Sequence, residues 1–197
     1  MDKAPPSRRD ELLDLAATMF AERGLRATTV RDIADSAGIL SGSLYHHFKS
    51  KEQMVEEVLR DFLDWLFKRY AEIVAGESDP LERVKGLFMT SFEAIEHRHA
   101  QVVIYQDEAK RLSSLPQFEF VEARNREQRR MWIDVLKQGV AEGRFRPDID
   151  VDLVYRFIRD TTWVSVRWYQ PGGPLTAEQV GQQYLSIVLG GITKEGV

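Results

Sequence analysis

The chain has 197 residues, 43% hydrophobic and 29% charged, with a formal charge of −4. That is enough for one ordinary folded core or for a small module fused to a larger one. The absence of cysteine excludes disulfides, thiolate catalysis and cysteine-ligated zinc, and no stretch approaches the roughly 18 uncharged apolar residues of a membrane span.

In chain order, Met1–Arg9 carries prolines and arginines without an apolar core. It reads as a short loose arm and not as a signal peptide, and a reducing cytoplasm suits the composition. Leu12, Leu15, Ala16, Met19 and Phe20 follow helical spacing, and Gly24 supplies a stop. Thr29, with Asp32 three residues on, is a capping-box start for a second helix, whose stripe is Val30, Ile33, Ala34 and Ala37 before Gly38. A third short segment, Ser41–Phe48, places Leu44 and Phe48 on one side. Ser50 and Gln53 form a second capping box, opening a long helix with Met54, Val58, Phe62, Trp65, Leu66 and Ile73 on its apolar face.

Gly76–Pro80 is the first clear break. Further helices are expected at about 80–98, 100–111, 117–142, 151–169 and 176–191, punctuated by Pro116, Gly143 with Pro147, and Pro171-Gly172-Gly173-Pro174. The fold class is therefore all-α, with about nine helices. A three-helix head over 1–50 is joined by the long helix to a helical body over 51–197.

The first three helices are too short to be stable alone and must pack on one another. Two of them around a tight turn at Gly38 make a helix-turn-helix, spanning about 29–48. With Leu44 and Phe48 inward, Ser41, Gly42, Ser43, Tyr45 and His46 point outward, where hydroxyls, a phenol and an imidazole suit phosphates and base edges. Thr29 and Ser50 are caps first; the helix N-termini they open, with Val30, Lys51, Arg31 and Arg26, extend a phosphate-binding footprint. Tyr45 has an alternative as a half-buried packing residue. Residues 1–51 hold eight Lys/Arg against seven Asp/Glu, and the remainder 19 against 24, so the acid lies mostly away from the head.

These residues resemble the TetR family of repressors. The string Thr28-Thr29-Val30-Arg31-Asp32-Ile33-Ala34, then Ala37-Gly38-Ile39, Gly42-Ser43-Leu44-Tyr45-His46-His47-Phe48 and Ser50-Lys51-Glu52 follows the family's head in order. One departure is Leu40, standing where the family usually has a serine that opens the recognition helix. Either the cap shifts to Ser41 and Leu40 packs, or Leu40 meets a thymine methyl. The resemblance implies that the helical body over 51–197 is a ligand-binding and dimerisation domain, with a homodimer, a palindromic double-stranded operator and release by a small effector.

In the body, segment 151–169 carries apolar residues on more than one face and segment 176–191 ends in small and apolar residues, so the two are expected to pair with their symmetry mates; completing a monomer core is the alternative. Arg159, Trp163 and Arg167 stand at i, i+4, i+8 and so share a face. A buried guanidinium needs an anion, either a carboxylate such as Asp160, Asp107 or Glu108, or a ligand. The aromatics Phe62, Trp65, Phe88, Phe92, Tyr105 and Trp132 could wall an apolar cavity, although each taken singly reads first as core. Trp65, Phe92, Tyr105 and Trp132 join Arg159, Trp163 and Arg167 as the expected effector-binding set. Arg124, Arg126, Arg129 and Arg130 interleave with Glu122 and Glu127, a solvated face or a site for a phosphate-rich tail. His97 and His99 cannot share a helical face, so no metal is expected, and no nucleophile or acid–base constellation stands out.

Phe145-Arg146-Pro147-Asp148, Trp163 to Tyr169, Pro171 to Thr176 and Gly190 to Val197 are similar to a branch of that family that represses steroid (cholesterol) catabolism. This likeness implies an effector that is a coenzyme A thioester of a steroid-derived indanedione propanoate and no resident cofactor. Two other readings stay open: a helical enzyme acting on acyl-CoA, and a helical interaction protein without an inducer.

Overall fold

The computed structural model describes residues 7–112 and 115–193, the side chains of Ala109 and Lys110 excepted. Most of the expected N-terminal arm, residues 1–6, and the terminal stretch 194–197 lie outside the described residues. Among the described residues nine α-helices run in order: α1 (Arg8–Arg23), α2 (Val30–Ser36), α3 (Ser41–His47), α4 (Lys51–Gly76), α5 (Pro80–His97), α6 (His99–Leu112), α7 (Glu119–Ala141), α8 (Val151–Val164) and α9 (Ala177–Ile192). Single 3-10 turns, Pro116–Phe118 and Ser165–Arg167, precede α7 and follow α8. Among the described residues there is no β-strand, only an isolated bridge between Phe145 and Thr193. The all-α expectation holds.

Local chemistry explains most boundaries. Ser7 caps α1 in a reciprocal box with Asp10, so the loose arm ends sooner than the sequence reading placed it: Arg8 and Arg9 are helical. Thr29 and Asp32 form the expected box. The Ser50 box is only half made: Ser50 Oγ accepts from the Gln53 N–H at 3.1 Å, but the Gln53 carboxamide oxygen accepts from Lys49, at 2.7 Å. Asp79, Asp150 and Thr176 cap α5, α8 and α9.

The head core is Leu12, Ala16 and Phe20 of α1, Ile33 and Ala34 of α2, Leu44 of α3, and Phe48, all buried. Each large side chain among them contributes about 1.5–3 kcal/mol by leaving water. The head is not self-sufficient: α1 also lies along α6 and against α4. In the body α5 is central, touching α4, α6, α7, α8 and α9. Its longest contact is with α9, made close at Gly181, where a β-carbon would stand 3.1 Å from Met89 and Phe92.

The 151–169 segment breaks earlier than the sequence suggested. α8 stops at Val164, where Ser165 Oγ donates to the Thr162 carbonyl at 2.6 Å and a 3-10 turn follows. Thr161, Thr162, Val164 and Val166 crowd this stretch with β-branched residues, which weaken a helix. Beyond it Tyr169 OH and the Ala177 N–H both donate to the carboxylate of Glu96 on α5, so one side chain holds the two ends of the Gln170–Thr176 connection.

Tyr169 first, then the Ala177 N–H, hold the Glu96 carboxyl below the usual glutamate range. A depressed folded-state value stabilises the fold above the unfolded value, about 4.3, and that contribution disappears as pH falls through the folded value. Glu96→Gln is expected to lower the thermal midpoint at pH 7, with the gap to wild type closing as pH is taken below about 4. Circular dichroism melts across that range check it; a gap that does not change with pH would contradict the ionic role.

Candidate functional site

Two surfaces carry chemistry. The first is the outer side of the head. α2 ends at Gly38, whose φ of +67° suits glycine, and the Ile39 N–H closes the turn on the Ala34 carbonyl at 3.0 Å. α3 then begins at Ser41 with Leu40 as its N-cap and no side-chain cap. The cap therefore does not shift, and Leu40 does not pack inside the head: it is 80% exposed. Gly42, Ser43, Tyr45 and His46 are exposed, as are Arg26 and Arg31, while Ser41 and Val30 are half-buried. Tyr45 is an outward group, not a packing residue.

Several head groups are already engaged. The Thr29 hydroxyl donates to Asp32 at 2.6 Å and accepts from the Asp32 N–H at 3.1 Å. The Thr29 hydroxyl, then its backbone N–H, lower the Asp32 pKa. Arg31 lies 3.6 Å from Asp35. Lys51 departs furthest from expectation: its ammonium donates to the carbonyls of Leu25 at 2.5 Å and Thr28 at 2.9 Å. It ties the start of α4 to the α1–α2 loop, with one of its three donors left for a phosphate.

The second surface is a cavity of about 700 Å³ between α6, α7 and α8, within the size range of small-molecule sites. Tyr105, Tyr155 and Trp163 make its aromatic wall, and Gln106, Asn125 and Gln128 add amides. Tyr105 OH donates to Asn125. Arg126, Arg129 and Arg159 face two carboxylates, Glu122 and Asp160. A shallower groove of about 430 Å³ shares Arg126 and Arg129 and adds Arg130. The fourth arginine of that run, Arg124, turns away, pairing with Asp64 at 2.6 Å and Glu127 at 3.0 Å and covering the Phe67 ring.

The expected effector set divides. Tyr105, Arg159 and Trp163 converge on the cavity, and Trp132 lines a small recess beneath it. Phe92 is core, packed on Phe88 and Tyr184. Trp65 is half-buried under the Arg98 guanidinium. Arg167, on the 3-10 turn, is exposed and 3.4 Å from Asp107. The three are corrections with one cause each: the core claims Phe92, a cation–π contact claims Trp65, and the end of α8 removes Arg167 from the shared face. Arg159 is not buried either; it pairs with Asp160 at 2.7 Å and stands 5.8 Å over the Tyr155 ring. The face that lines the cavity is Tyr155-Arg159-Trp163. The i, i+4, i+8 signal was present one turn earlier than it was sought.

Comparison with known proteins fits both surfaces. Residues 12–58 match the profile described as bacterial regulatory proteins, tetR family, and residues 77–192 match the tetracyclin repressor-like C-terminal domain. The chain belongs to the TetR family. It is 83% identical over 190 residues to the HTH-type transcriptional repressor KstR2 of Mycolicibacterium smegmatis, covering 96% of this chain and 93% of that one. The structure of the ketosteroid transcriptional regulator KstR2 of Mycobacterium tuberculosis superposes with a TM-score of 0.96 at 77% identity, covering 97% of each chain. AibR, in complex with isovaleryl coenzyme A and operator DNA, shares the fold at 22% identity and a TM-score of 0.78, over 92% of this chain and 97% of that one. TetR-family members with these names are transcriptional repressors and not enzymes, so the acyl-CoA enzyme alternative falls away.

The Lys51 clamp gives a prediction. Lys51→Met loses two charge-assisted hydrogen bonds inside the head, and since the side chain is half-exposed the cost is about 1–2 kcal/mol. Urea denaturation followed by circular dichroism measures it. An unchanged midpoint, with only the salt dependence of DNA binding altered, would return Lys51 to a purely phosphate-facing role.

Proposed function

We propose that this repressor binds a palindromic operator as a homodimer and is released by an anionic, ring-bearing effector, a coenzyme A thioester from steroid ring degradation. The cavity carries the reading. Its aromatic wall suits an apolar ring body, and the Arg126, Arg129 and Arg130 track leading off it suits a phosphate-rich tail. Support comes from the ketosteroid regulator just described, and from the same fold holding isovaleryl coenzyme A in AibR.

The head surface suits DNA. The α3 residues Gly42, Ser43, Tyr45 and His46, with Leu40 before them, are the groups for the major groove. Leu40 offers an apolar contact to a thymine methyl. Two heads must stand about 34–36 Å apart to read successive major grooves, so a dimer is required. α8 has an apolar stripe that its own chain leaves open: Leu153, Phe157 and Val164 are exposed, as is Trp168 on the following turn, and Ile187 of α9 is 69% exposed. On the other side of α8, Tyr155, Ile158 and Thr162 are buried. A helix apolar on both sides needs a second partner, and the reading assigns that place to the symmetry mate.

Release follows from an aromatic triad. Phe62 of α4 lies 5.9 Å from Tyr105 and 6.4 Å from Trp163, and those two are 6.2 Å apart. A ligand pressing on Tyr105 and Trp163 bears on α4, whose first residue is clamped into the head through Lys51. The effector must bind the DNA-incompetent head spacing more tightly than the competent one.

Two measurements test this. On a fluorescent palindromic promoter fragment, the indanedione propanoyl thioester should release the protein while free coenzyme A does not. Arg159→Met should keep operator affinity and raise the thioester concentration for half-release roughly 10- to 100-fold; unchanged release would remove Arg159 from the site. For the dimer, Phe157→Glu should shift the sedimentation coefficient to that of a monomer and abolish operator binding at concentrations where wild type saturates. A dimeric Phe157→Glu protein would refute the α8 face.

A further inference from the structure

Beneath the main cavity lies a recess of about 10 Å³ lined by Ser91, Trp132, Ile158 and Thr162, with Gln128, Tyr155, Arg159 and Trp163 shared with the larger space above. That is room for one water-sized atom. Its walls are buried except at Arg159, yet three of them, Ser91, Gln128 and Thr162, are polar side chains at 5% exposure or less. Buried polar groups are expected to be hydrogen-bonded, and an exception asks for an explanation.

Ser91 is fully occupied. Its hydroxyl donates to the Leu87 carbonyl at 3.0 Å and so accepts from Tyr70 OH, 2.6 Å away. Gln128 and Trp132 also act on the Tyr70 hydroxyl, against the larger upward effect of its burial. Thr162 differs. It is 2% exposed, and its hydroxyl has no protein partner. A helical threonine ordinarily donates to a carbonyl three or four residues back. Neighbouring Thr161 does so, to Phe157 at 2.7 Å. Thr162 makes no such bond, and it lines the recess.

We infer that this recess is an oxygen-sized subsite, in which the Thr162 hydroxyl donates to a neutral carbonyl or hydroxyl oxygen on the ring body of the effector. The inference rests on the effector reading for the placement of that body in the aromatic cavity. A carboxylate is disfavoured: the recess is deeply buried, and Arg159, the one cation on its wall, is already paired with Asp160. An apolar ring edge is disfavoured too, because it leaves a buried hydroxyl without a partner. The subsite therefore selects oxygenated rings over hydrocarbon rings of the same shape.

Thr162→Val is nearly isosteric and suits the test. Without ligand, removing an unpartnered buried hydroxyl should raise Tm by about 2–5 °C. A lower Tm means that the hydroxyl is satisfied within the protein or by a held water, and overturns the inference. With ligand, 1-indanone and indane differ by a single oxygen and need no coenzyme A tail. By calorimetric titration, wild type should prefer 1-indanone by roughly 5- to 100-fold. Thr162→Val should lose that preference while retaining indane. Equal binding of the two by wild type, or a preference unchanged in the variant, overturns the inference. 1-Indanol binding wild type more tightly than 1-indanone would assign the oxygen as a hydroxyl, and the reverse as a carbonyl. These readouts are independent of operator release: a thioester that fails to release DNA would defeat the proposed effector while leaving the fragment preference standing, and the converse also holds.

Discussion

The contact of Phe62, Tyr105 and Trp163 joins three helices that do different work. α4 reaches into the head, α6 lies along α1, and α8 carries the cavity face on one side and the open apolar stripe on the other. Edge-on and tilted ring pairs are worth about 0.5–1.5 kcal/mol each beyond the area they bury, and all three here meet at one point. α4 has 26 residues and a length of about 39 Å. Phe62 stands three turns, about 16 Å, along it from Lys51. A displacement at the triad therefore acts on a rigid rod whose far end is fixed to the head.

The head is held to that rod by charge and to the body by packing. Lys51 bridges two loop carbonyls, and Arg9 of α1 reaches Glu57 of α4 at 2.7 Å while its guanidinium covers the Phe48 ring. α1 lies on α6, whose far half contributes Tyr105 and Gln106 to the cavity. The module that faces DNA thus has two mechanical connections to the cavity, α4 through the triad and α6 through α1.

Local signals were legible in the sequence, and signals that depend on tertiary company were not. Thr29-Asp32, Gly38 and the pair Leu44 and Phe48 fixed the helix-turn-helix, because capping and short-range periodicity act within a few residues. The end of α8 was hidden: apolar spacing continues through Val166 and Trp168, but a serine hydroxyl and a run of β-branched residues turn the backbone at Val164. That shifted the reading of the cavity face from Tyr155-Arg159-Trp163 to Arg159-Trp163-Arg167. The Lys51 clamp was hidden for a related reason, since its two carbonyl partners lie 23 and 26 residues away. Nothing in sequence separates a cavity aromatic such as Tyr105 from a core one such as Phe92, which differ only in what lies opposite.

The near balance of charge in the head bears on how such a protein searches a genome. Eight basic residues face seven acidic ones over the first 51 positions, and Arg8, Arg9, Arg31 and Lys51 are each engaged by a carboxylate or carbonyl of the chain itself. Sequence-independent affinity for DNA rises with the number of phosphates neutralised, and the bulk of a chromosome competes through that term. A head with few cations to spare is titrated only slightly by the millions of irrelevant sites. A small number of copies per cell then suffices to keep an operator filled.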